Sequence, residues 1–264
     1  MRAALVQLAV NPDEPVESRR NRAAALVREQ AGADLVVLPE LWHLGAFAFT
    51  SFETGAEPWT AHGRGHGVRR ARRRGLAARG LDRGARPRGR PLQHLARLLP
   101  EGERAATYRK IHRFGFDRGE ATLMSAGEEP VTVALPDTTV GLATCYDLRF
   151  PELFRLLTEA GAETLVIPAG WPARRAAHWT LLARARAVEN QTYVLACGTA
   201  GSHAGVEQAG RSIAVDPWGE VLAEAGTDEE VLSVELDPER VATTRADFPA
   251  LRDRRLGLPE PHRA

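Results

Sequence analysis

The sequence predicts an α/β fold that forms one large domain. Apolar runs of strand length alternate with helical segments along most of the chain, and the first three elements read strand, helix, strand. A length of 264 residues with 44% hydrophobic content is also enough to bury a sizeable core. We expect this domain to cover residues 1–257, with a short tail over 258–264.

The N-terminal segment supplies the first strand–helix–strand unit. Residues 3–10 form an apolar run of strand length, residues 17–30 place apolar side chains at helical spacing, and residues 34–40 return to strand. Such a unit predicts parallel strands that are buried on both faces or packed against a second sheet.

The later elements follow the same two patterns. Strands are predicted over 105–110, 131–135, 139–145, 163–170, 192–198 and 231–238, helices over 151–161 and 178–191, and a hairpin over 211–226 that turns at 216–219. The first of these helices has Pro in its first turn and Gly at its end. A polar, Arg-rich tail is expected after the last strand.

Composition excludes several classes of protein. The net charge of +1 gives no overall polyanion-binding character. The two cysteines, Cys145 and Cys197, form no CxxC pair, and no histidine cluster has zinc-finger spacing, so a structural metal site or a disulfide scaffold is not expected. The N-terminal apolar run is too short to span a membrane, which favours a cytoplasmic protein with no membrane association.

Residues 61–97 differ from the rest of the chain. They hold many arginines and glycines but a single acid, Asp82, and they show no strand pattern. Three interpretations compete: an arginine-rich RNA-binding segment, a disordered linker, or a stretch translated in a shifted reading frame. A structureless insertion inside a compact domain is unusual, and GC-rich DNA read out of frame yields Arg, Gly, Ala and Pro. We therefore favour the shifted frame.

Three potentially reactive residues stand where predicted strands stop: Glu40, Lys110 and Cys145. Ligands of α/β sheets bind at the carboxyl ends of strands, so these residues could converge on one site. Lys110 is the single lysine in a chain that otherwise uses arginine, which suggests a role for a compact ammonium. Each residue also has an ordinary interpretation, and Cys145 alone would be a buried structural thiol or a metal ligand.

The three residue types form a coherent catalyst when they are combined. Glu40 in a desolvated pocket could take the proton of the Cys145 thiol, and the thiolate could then attack an acyl carbon. The oxyanion that forms needs a fixed cation and N–H donors, for which Lys110 and the backbone N–H of Tyr146 are the candidates. A Cys-His pair with His112 or His178 as the base is the alternative.

The segments around these residues resemble the catalytic signatures of the nitrilase superfamily of carbon-nitrogen hydrolases. They are LPELW at Glu40, YRKIHRFGF at Lys110 and CYDLRFPELFR at Cys145. The string GWPARRAAHWTLLARARAVENQTYV over 170–194 is similar to the segment that follows the nucleophile in that family. The resemblance covers residues 3–60 and 99–257, so it omits the anomalous window. In that window the family pattern has a helix and two core strands.

The resemblance implies an αββα sandwich, disrupted locally at 61–97, which pairs into homodimers or larger homo-oligomers. It implies a Glu-Lys-Cys triad without metal or organic cofactor, with Glu120 as a second glutamate that positions Lys110. Supporting or pocket-lining roles are expected for Asp147, Arg149, Glu152, Trp171, His178 and Trp179, and aromatic packing is the alternative for the two tryptophans.

The implied reaction is the hydrolysis of a small carboxamide to a carboxylate and ammonia through a cysteine thioester. The segment CYDLRFPE looks most like the amidases that act on small ω-amides or deaminated peptide amides. Nitriles and N-carbamoyl amines are alternative substrates for the same triad. An inactive, damaged family member and an RNA-binding protein are the further alternatives, and the favoured prediction has a small-molecule partner and no nucleic acid.

Overall fold

The structure is a computed structural model, and it describes residues 1–52, 75–82, 92–98, 104–116 and 119–256. Over 75–82, 92–98 and 104–105 only the backbone is described. The predicted tail 258–264 and the rest of the 61–97 window lie outside these residues. The described part shows no helix that is long and apolar enough to cross a membrane.

Within the described residues, most of the strands and helices that the sequence predicts are present, together with others that it does not predict. The strands are β1 Arg2–Gln7, β2 Ala9–Val10, β3 Leu35–Val37, β4 Gly75–Asp82, β5 Leu92–Leu98, β6 Arg104–Arg109, β7 Val131–Ala134, β8 Thr139–Leu142, β9 Thr164–Ala169, β10 Tyr193–Gly198, β11 Ala200–His203, β12 Val206–Glu207, β13 Ile213–Val215, β14 Val221–Glu224 and β15 Glu230–Glu235. The helices are α1 Val16–Glu29, α2 Glu120–Leu123, α3 Pro151–Glu159, α4 Ala176–Asn190 and α5 Arg240–Asp247.

Two sheets form the centre of the fold. One has the order β15-β1-β3, with β1 and β3 parallel and β1 and β15 antiparallel. The other has the order β14-β13-β10-β9-β8-β7, with β8, β9 and β10 parallel at its middle. The register Val140↔Thr164 and Tyr193↔Thr164 brings the carboxyl ends of these three strands to the same edge.

Helices cover the outer faces of both sheets. Side chains of β1 and β3, such as Leu5 and Val37, share one buried core with β8, β9 and β10, while Val6 on the opposite face of β1 packs with Ala23 and Val27 of α1. Helices α3 and α4 bury Phe154, Leu157, Trp179, Ala183 and Ala187 against the larger sheet. The result is helix, sheet, sheet, helix, so the predicted αββα sandwich is confirmed.

Two predictions about secondary structure are wrong. The sequence indicates no strand in 61–97, but β4 and β5 pair antiparallel with each other, and β5 pairs with β6. Such ladders are made by backbone N–H and C=O groups, so they do not require the alternation of side chains that the prediction looked for. The polar tail expected after β15 contains α5, because Val241 and Thr244, three residues apart, bury one face of it.

Candidate active site

Glu40 lies just beyond β3, at the carboxyl edge of its sheet. Glu40 is 1% exposed, and each oxygen of its carboxylate accepts a hydrogen bond. Oε1 lies 2.7 Å from the Nζ atom of Lys110, and Oε2 accepts a hydrogen bond of 2.9 Å from the backbone N–H of Gly170, which follows β9. The carboxylate therefore joins the ends of strands from both sheets.

Lys110 follows β6 directly and is held between two glutamates. Its Nζ donates to Glu40 at 2.7 Å and to Glu120 at 2.8 Å, and the Lys110 side chain is 2% exposed. Glu120 opens α2, and its Oε2 also accepts a hydrogen bond of 2.9 Å from the backbone N–H of Phe114. Both contacts fix the ammonium in a single position, which suits a cation that must meet a developing negative charge.

Cys145 begins a tight turn between β8 and α3. Its φ of 49° is the left-handed conformation that a residue with a side chain seldom adopts. A capping box stabilises the turn, since the Thr144 side chain accepts from the backbone N–H of Asp147 and the Asp147 side chain accepts from the N–H of Thr144. The Cys145 thiol donates a hydrogen bond of 3.6 Å to the carbonyl oxygen of Gly170, and the carboxylate of Glu40 is near enough to the thiol to raise its pKa.

Burial and charge determine which of these groups is ionised. Burial raises the pKa of the Cys145 thiol well above its usual value, and the Glu40 charge raises it further. Burial alone would raise the pKa of Glu40, but the Lys110 ammonium and the hydrogen bonds that Glu40 accepts hold it below its usual value. The resting site thus holds a neutral thiol beside a carboxylate, which is the protonation state that a general base requires.

The second glutamate has a different protonation equilibrium. Burial raises the pKa of Glu120 to about 7, with the Glu40 charge adding to the effect and the Lys110 ammonium opposing it. Burial would lower the pKa of Lys110, but Glu120 and Glu40 keep it well above its usual value. Lys110 is therefore a cation in this site, and Glu120 titrates near neutral pH.

Asp147 connects the loop after Lys110 to the turn that carries Cys145. It is fully buried, and its Oδ1 accepts from the backbone N–H of His112 at 2.9 Å, with His112 Nδ1 at 2.8 Å. Its Oδ2 accepts from the hydroxyl of Tyr108 at 2.7 Å and from Thr144 N–H at 2.9 Å. The position of the nucleophile therefore depends on a hydrogen-bond network that begins in β6.

A cavity of about 230 Å³ opens above Cys145. Its lining includes Glu40, Glu120, Cys145, Tyr146 and Gly170, together with the residues Ala46, Phe47, Phe114, Phe116, Arg149, Trp171, Pro172, Arg174 and Arg175. Tyr146 is the second residue of the turn, where a backbone N–H has no partner within the turn itself, so this donor is available to a bound oxyanion. At about 230 Å³ the cavity is smaller than the roughly 300–1,000 Å³ of sites for drug-sized ligands, so it suits a small molecule.

The other predicted pocket residues fall into two groups. Arg149 and Trp171 line the cavity, and the guanidinium of Arg149 lies 4.9 Å from the Trp171 ring centre. Trp179 packs behind Trp171, fully buried, and donates to the Arg211 carbonyl at 2.7 Å. Glu152 is exposed on α3 and makes no side-chain ion pair or hydrogen bond with any residue that the structure describes, so no contact supports the role predicted for it.

Neither histidine of the alternative Cys-His pair contacts the nucleophile in the described part of the chain. The His112 ring is stacked on Phe150 with centroids 3.7 Å apart, and its Nδ1 is engaged by Asp147. His178 is exposed, with Nδ1 3.3 Å from Arg149. Among the described residues, Glu40 is the carboxylate whose charge most strongly raises the pKa of the Cys145 thiol.

Sequence reasoning missed several residues of the cavity. Phe47 and Phe114 form an aromatic wall with centroids 6.1 Å apart, and Arg174 and Arg175 stand at its rim. Phe114, Arg174 and Arg175 could have been found from the sequence, because they lie inside the family-like segments YRKIHRFGF and GWPARR. Gly170 has a geometric requirement, because a Cβ there would lie 2.3 Å from the Cβ of Ala46 and would displace the loop that follows Glu40.

Comparison with known proteins matches this geometry to one family. The carbon-nitrogen hydrolase family model matches residues 2–246. The chain is 40% identical to a 2-oxoglutaramate amidase of Paenarthrobacter nicotinovorans, over 97% of this chain and 90% of that protein. It is 34% identical to an omega-amidase of Mus musculus, over 97% of this chain and 96% of that protein. The predicted resemblance, including its small-amidase branch, is confirmed.

A solved structure supports the same assignment. An amidase variant from Nesterenkonia sp. AN1, with the acetamide moiety of fluoroacetamide added covalently to its active-site cysteine, superimposes with a TM-score of 0.77. The two sequences are 25% identical, over 97% of this chain and 94% of that one. That amidase therefore uses a cysteine as its reactive group.

Proposed function

Because the chain belongs to the carbon-nitrogen hydrolase family and hydrolyses carbon–nitrogen bonds, we propose that it is an amidase for small acids that carry a terminal carboxamide. The relative from Paenarthrobacter nicotinovorans is named for 2-oxoglutaramate, an acid of this kind. The observation that carries the proposal is the Glu40 carboxylate, which lies beside the Cys145 thiol and accepts a hydrogen bond of 2.7 Å from the Lys110 ammonium at the cavity.

The reaction begins with transfer of the Cys145 thiol proton to Glu40. The thiolate attacks the carboxamide carbon, and negative charge develops on the amide oxygen. Lys110 Nζ and the Tyr146 N–H stabilise this oxyanion. The carbon–nitrogen bond breaks as Glu40 returns its proton to the leaving nitrogen, which departs as ammonia and leaves a thioester on Cys145.

Hydrolysis of the thioester repeats these steps with water. Glu40 takes a proton from water, the hydroxide attacks the thioester carbonyl, and the same oxyanion site stabilises the second tetrahedral intermediate. The carbon–sulfur bond breaks, and the thiolate recovers the proton from Glu40. The product leaves as a carboxylic acid that ionises in water, and the released ammonia takes up that proton. Glu120 does not transfer a proton in this scheme. It positions Lys110 through their 2.8 Å contact.

The test is ammonia release from 2-oxoglutaramate and from a panel of amides, nitriles and N-carbamoyl amines. The wild type is expected to prefer the amides, and Cys145→Ser is expected to lose turnover. Cys197→Ala is a matched control, because this second buried thiol bonds the carbonyls of Val6 and Val37 in the core. Full turnover by Cys145→Ser would refute the proposal, and a preference for nitriles would assign the other reaction.

We also propose that the protein is a cytoplasmic homo-oligomer that does not bind nucleic acid. A reactive thiol that must stay reduced fits the cytoplasm, and the net charge of +1 fits the lack of a polyanion partner. Exposed apolar side chains, among them Val188, Trp218 and Phe248, support self-association. A monomer in light scattering would contradict the homo-oligomer, and a membrane or secreted fraction would contradict the cytoplasmic location. Binding in an RNA-binding assay at low salt would contradict the absence of a nucleic-acid partner.

A further inference from the structure

His203 is a buried histidine that the proposed mechanism does not use. It is the last residue of β11 and is 4% exposed. Its Nε2 atom accepts a hydrogen bond of 3.3 Å from the backbone N–H of Phe47, which lies 156 positions earlier in the chain. Phe47 lines the cavity, so the imidazole stands directly behind a residue of the cavity wall.

The loop after Glu40 is shaped to receive this imidazole. Gly45 has a φ of 97°, and a Cβ at that position would lie 2.5 Å from Cδ2 of His203. Glycine alone combines this backbone conformation with so close an approach. The Phe47 ring also packs against the imidazole, with centroids 6.0 Å apart and planes inclined by 33°. Residues 45–47 are therefore fitted to the ring as well as bonded to it.

The hydrogen bond from Phe47 requires a neutral imidazole. Burial, together with the charge of Arg19, lowers the pKa of His203 to about 4. The ring is therefore uncharged at neutral pH, and Nε2 keeps the lone pair that accepts the Phe47 N–H. The single N–H proton of the ring is then on Nδ1.

The Nδ1 atom of His203 is buried and has no hydrogen-bond partner among the residues that the structure describes. A buried donor without a partner destabilises a fold, and an apolar ring at this position would avoid that cost. Packing and stability therefore do not account for a histidine here. The contact that only a nitrogen acceptor can make is the one between Nε2 and Phe47.

Phe47 forms one side of the aromatic wall of the cavity. Its ring meets that of Phe114 edge to face, with centroids 6.1 Å apart. The contacts of the Lys110 ammonium are to Glu40 and Glu120 and do not involve this ring. Movement of Phe47 would therefore reshape the cavity while the charged groups stay in place.

We propose that His203 is a positioning residue that sets the affinity for the substrate through Phe47. The imidazole holds the Phe47 N–H, and this contact fixes the Phe47 ring as a wall against which the carbon chain of the substrate packs. The inference rests on the proposed amidase activity and deepens it, because it assigns part of substrate binding to a residue that does not touch the substrate.

The first test is steady-state hydrolysis of 2-oxoglutaramate by two variants of His203. His203→Phe keeps a ring but has no acceptor, so KM should rise about 3- to 10-fold, as for one lost hydrogen bond, while kcat stays within about twofold. His203→Leu, which also lacks an acceptor, is the substitute if the Phe variant does not fold. His203→Gln offers a carbonyl oxygen to the Phe47 N–H and should restore most of the wild-type KM.

A control on the same strand accompanies these variants. Ser202→Ala changes the exposed residue next to His203 and should change neither constant. An unchanged KM without the acceptor, a loss that falls on kcat, or the same KM for the Phe and Gln variants would overturn the proposal.

A double-mutant cycle tests the route through Phe47. Phe47→Leu removes the ring from the wall and should raise KM, and adding His203→Phe to it should raise KM little further, because both changes remove the same contact. Effects that multiply independently would show that His203 does not act through Phe47.

Hydrogen exchange separates this inference from the proposed function, because it needs no turnover. The backbone amides of residues 44–49 should exchange faster in His203→Phe than in the wild type and in His203→Gln, while those of β9 should not change. Equal exchange of residues 44–49 in all three proteins would overturn the role of His203, whatever the activity. A wild-type protein that hydrolyses no amide would refute the amidase proposal instead.

Discussion

The Nζ atom of Lys110 lies 2.7 Å from Oε1 of Glu40, although 70 positions separate the two residues in the chain. The contact joins the loop after β3 to the end of β6. It places an ammonium and a carboxylate together near the Cys145 thiol.

Glu40→Gln should reduce kcat by about 10²- to 10⁴-fold, the range usual for a general base. The amide of Gln cannot accept the Cys145 proton, while the shape of the side chain is kept. Stopped-flow ammonia release would measure the effect on the first turnover. Glu128→Gln, an exposed carboxylate, is the matched control. Similar rates for the two variants would show that Glu40 is not the base.

Lys110→Arg should reduce kcat/KM at least about 10²-fold even though the charge is kept. The buried site holds a compact ammonium between two carboxylates, and a planar guanidinium needs more room than it provides. Forcing it in should also lower the free energy of unfolding by about 1–3 kcal/mol. Arg109→Lys, the reverse exchange at the exposed neighbouring position, should change neither quantity. Wild-type turnover by Lys110→Arg would contradict the proposed role.

A group that titrates near pH 7 should appear in the pH profile of kcat/KM and should disappear in Glu120→Gln. The pKa of Glu120 is raised to about 7, and its ionised form accepts hydrogen bonds from Lys110 and from the Phe114 N–H. Activity should therefore rise as pH increases through 7, when this carboxyl loses its proton. A profile that is the same in wild type and variant would assign the titration to another group.

The Glu120 carboxyl should also make the free energy of unfolding depend on pH. A rise in pH should lower this stability, although it raises the activity. Its pKa in the folded protein is raised above the usual value of 4.5. The unfolded chain therefore binds fewer protons than the folded chain between pH 4.5 and 7, so the Glu120 contribution to stability is present below pH 4.5 and is lost as pH rises through 7. Chemical denaturation of the wild type and Glu120→Gln across this range would measure the difference.

Asp147→Asn should lower the free energy of unfolding by about 2–3 kcal/mol. Both oxygens of Asp147 accept from two donors, so either orientation of the Asn side chain turns an NH₂ group toward donors from His112 or from Tyr108 and Thr144. Urea denaturation gives the stability. Asp137→Asn changes an exposed carboxyl in the turn between β7 and β8 and should have no effect. An equally stable Asp147→Asn protein would show that the network is not needed for folding.

DNA sequencing across codons 58 to 100 tests the remaining prediction about residues 61–97. We expect an inserted base and a compensating deletion, because the composition of this window is that of GC-rich DNA read out of frame. The corrected translation should then show a helix and two apolar strands. An unchanged sequence would require that the arginine-rich window itself supplies the strands β4 and β5.

Local patterns predicted most of the fold. The apolar runs located nearly all the central strands, because a strand that is buried on both faces is apolar throughout. Helical spacing located α1, α3 and α4, because a helix that buries one face repeats its apolar residues every three or four positions. Helix α5 was missed because only Val241 and Thr244 mark its buried side. The strands β4 and β5 were missed because backbone pairing leaves no pattern in side chains that do not alternate.

For the site, the sequence alone determined the candidate chemistry. Three ordered motifs contained Glu40, Lys110 and Cys145, and the resemblance to the nitrilase superfamily added Glu120. Only the tertiary structure decided that one carboxylate lies beside both the thiol and the ammonium, that Asp147 joins two of the motifs, and that a buried histidine holds the loop after Glu40. These are contacts between residues far apart in the chain, and distance, burial and charge balance exist only after the sheets have packed.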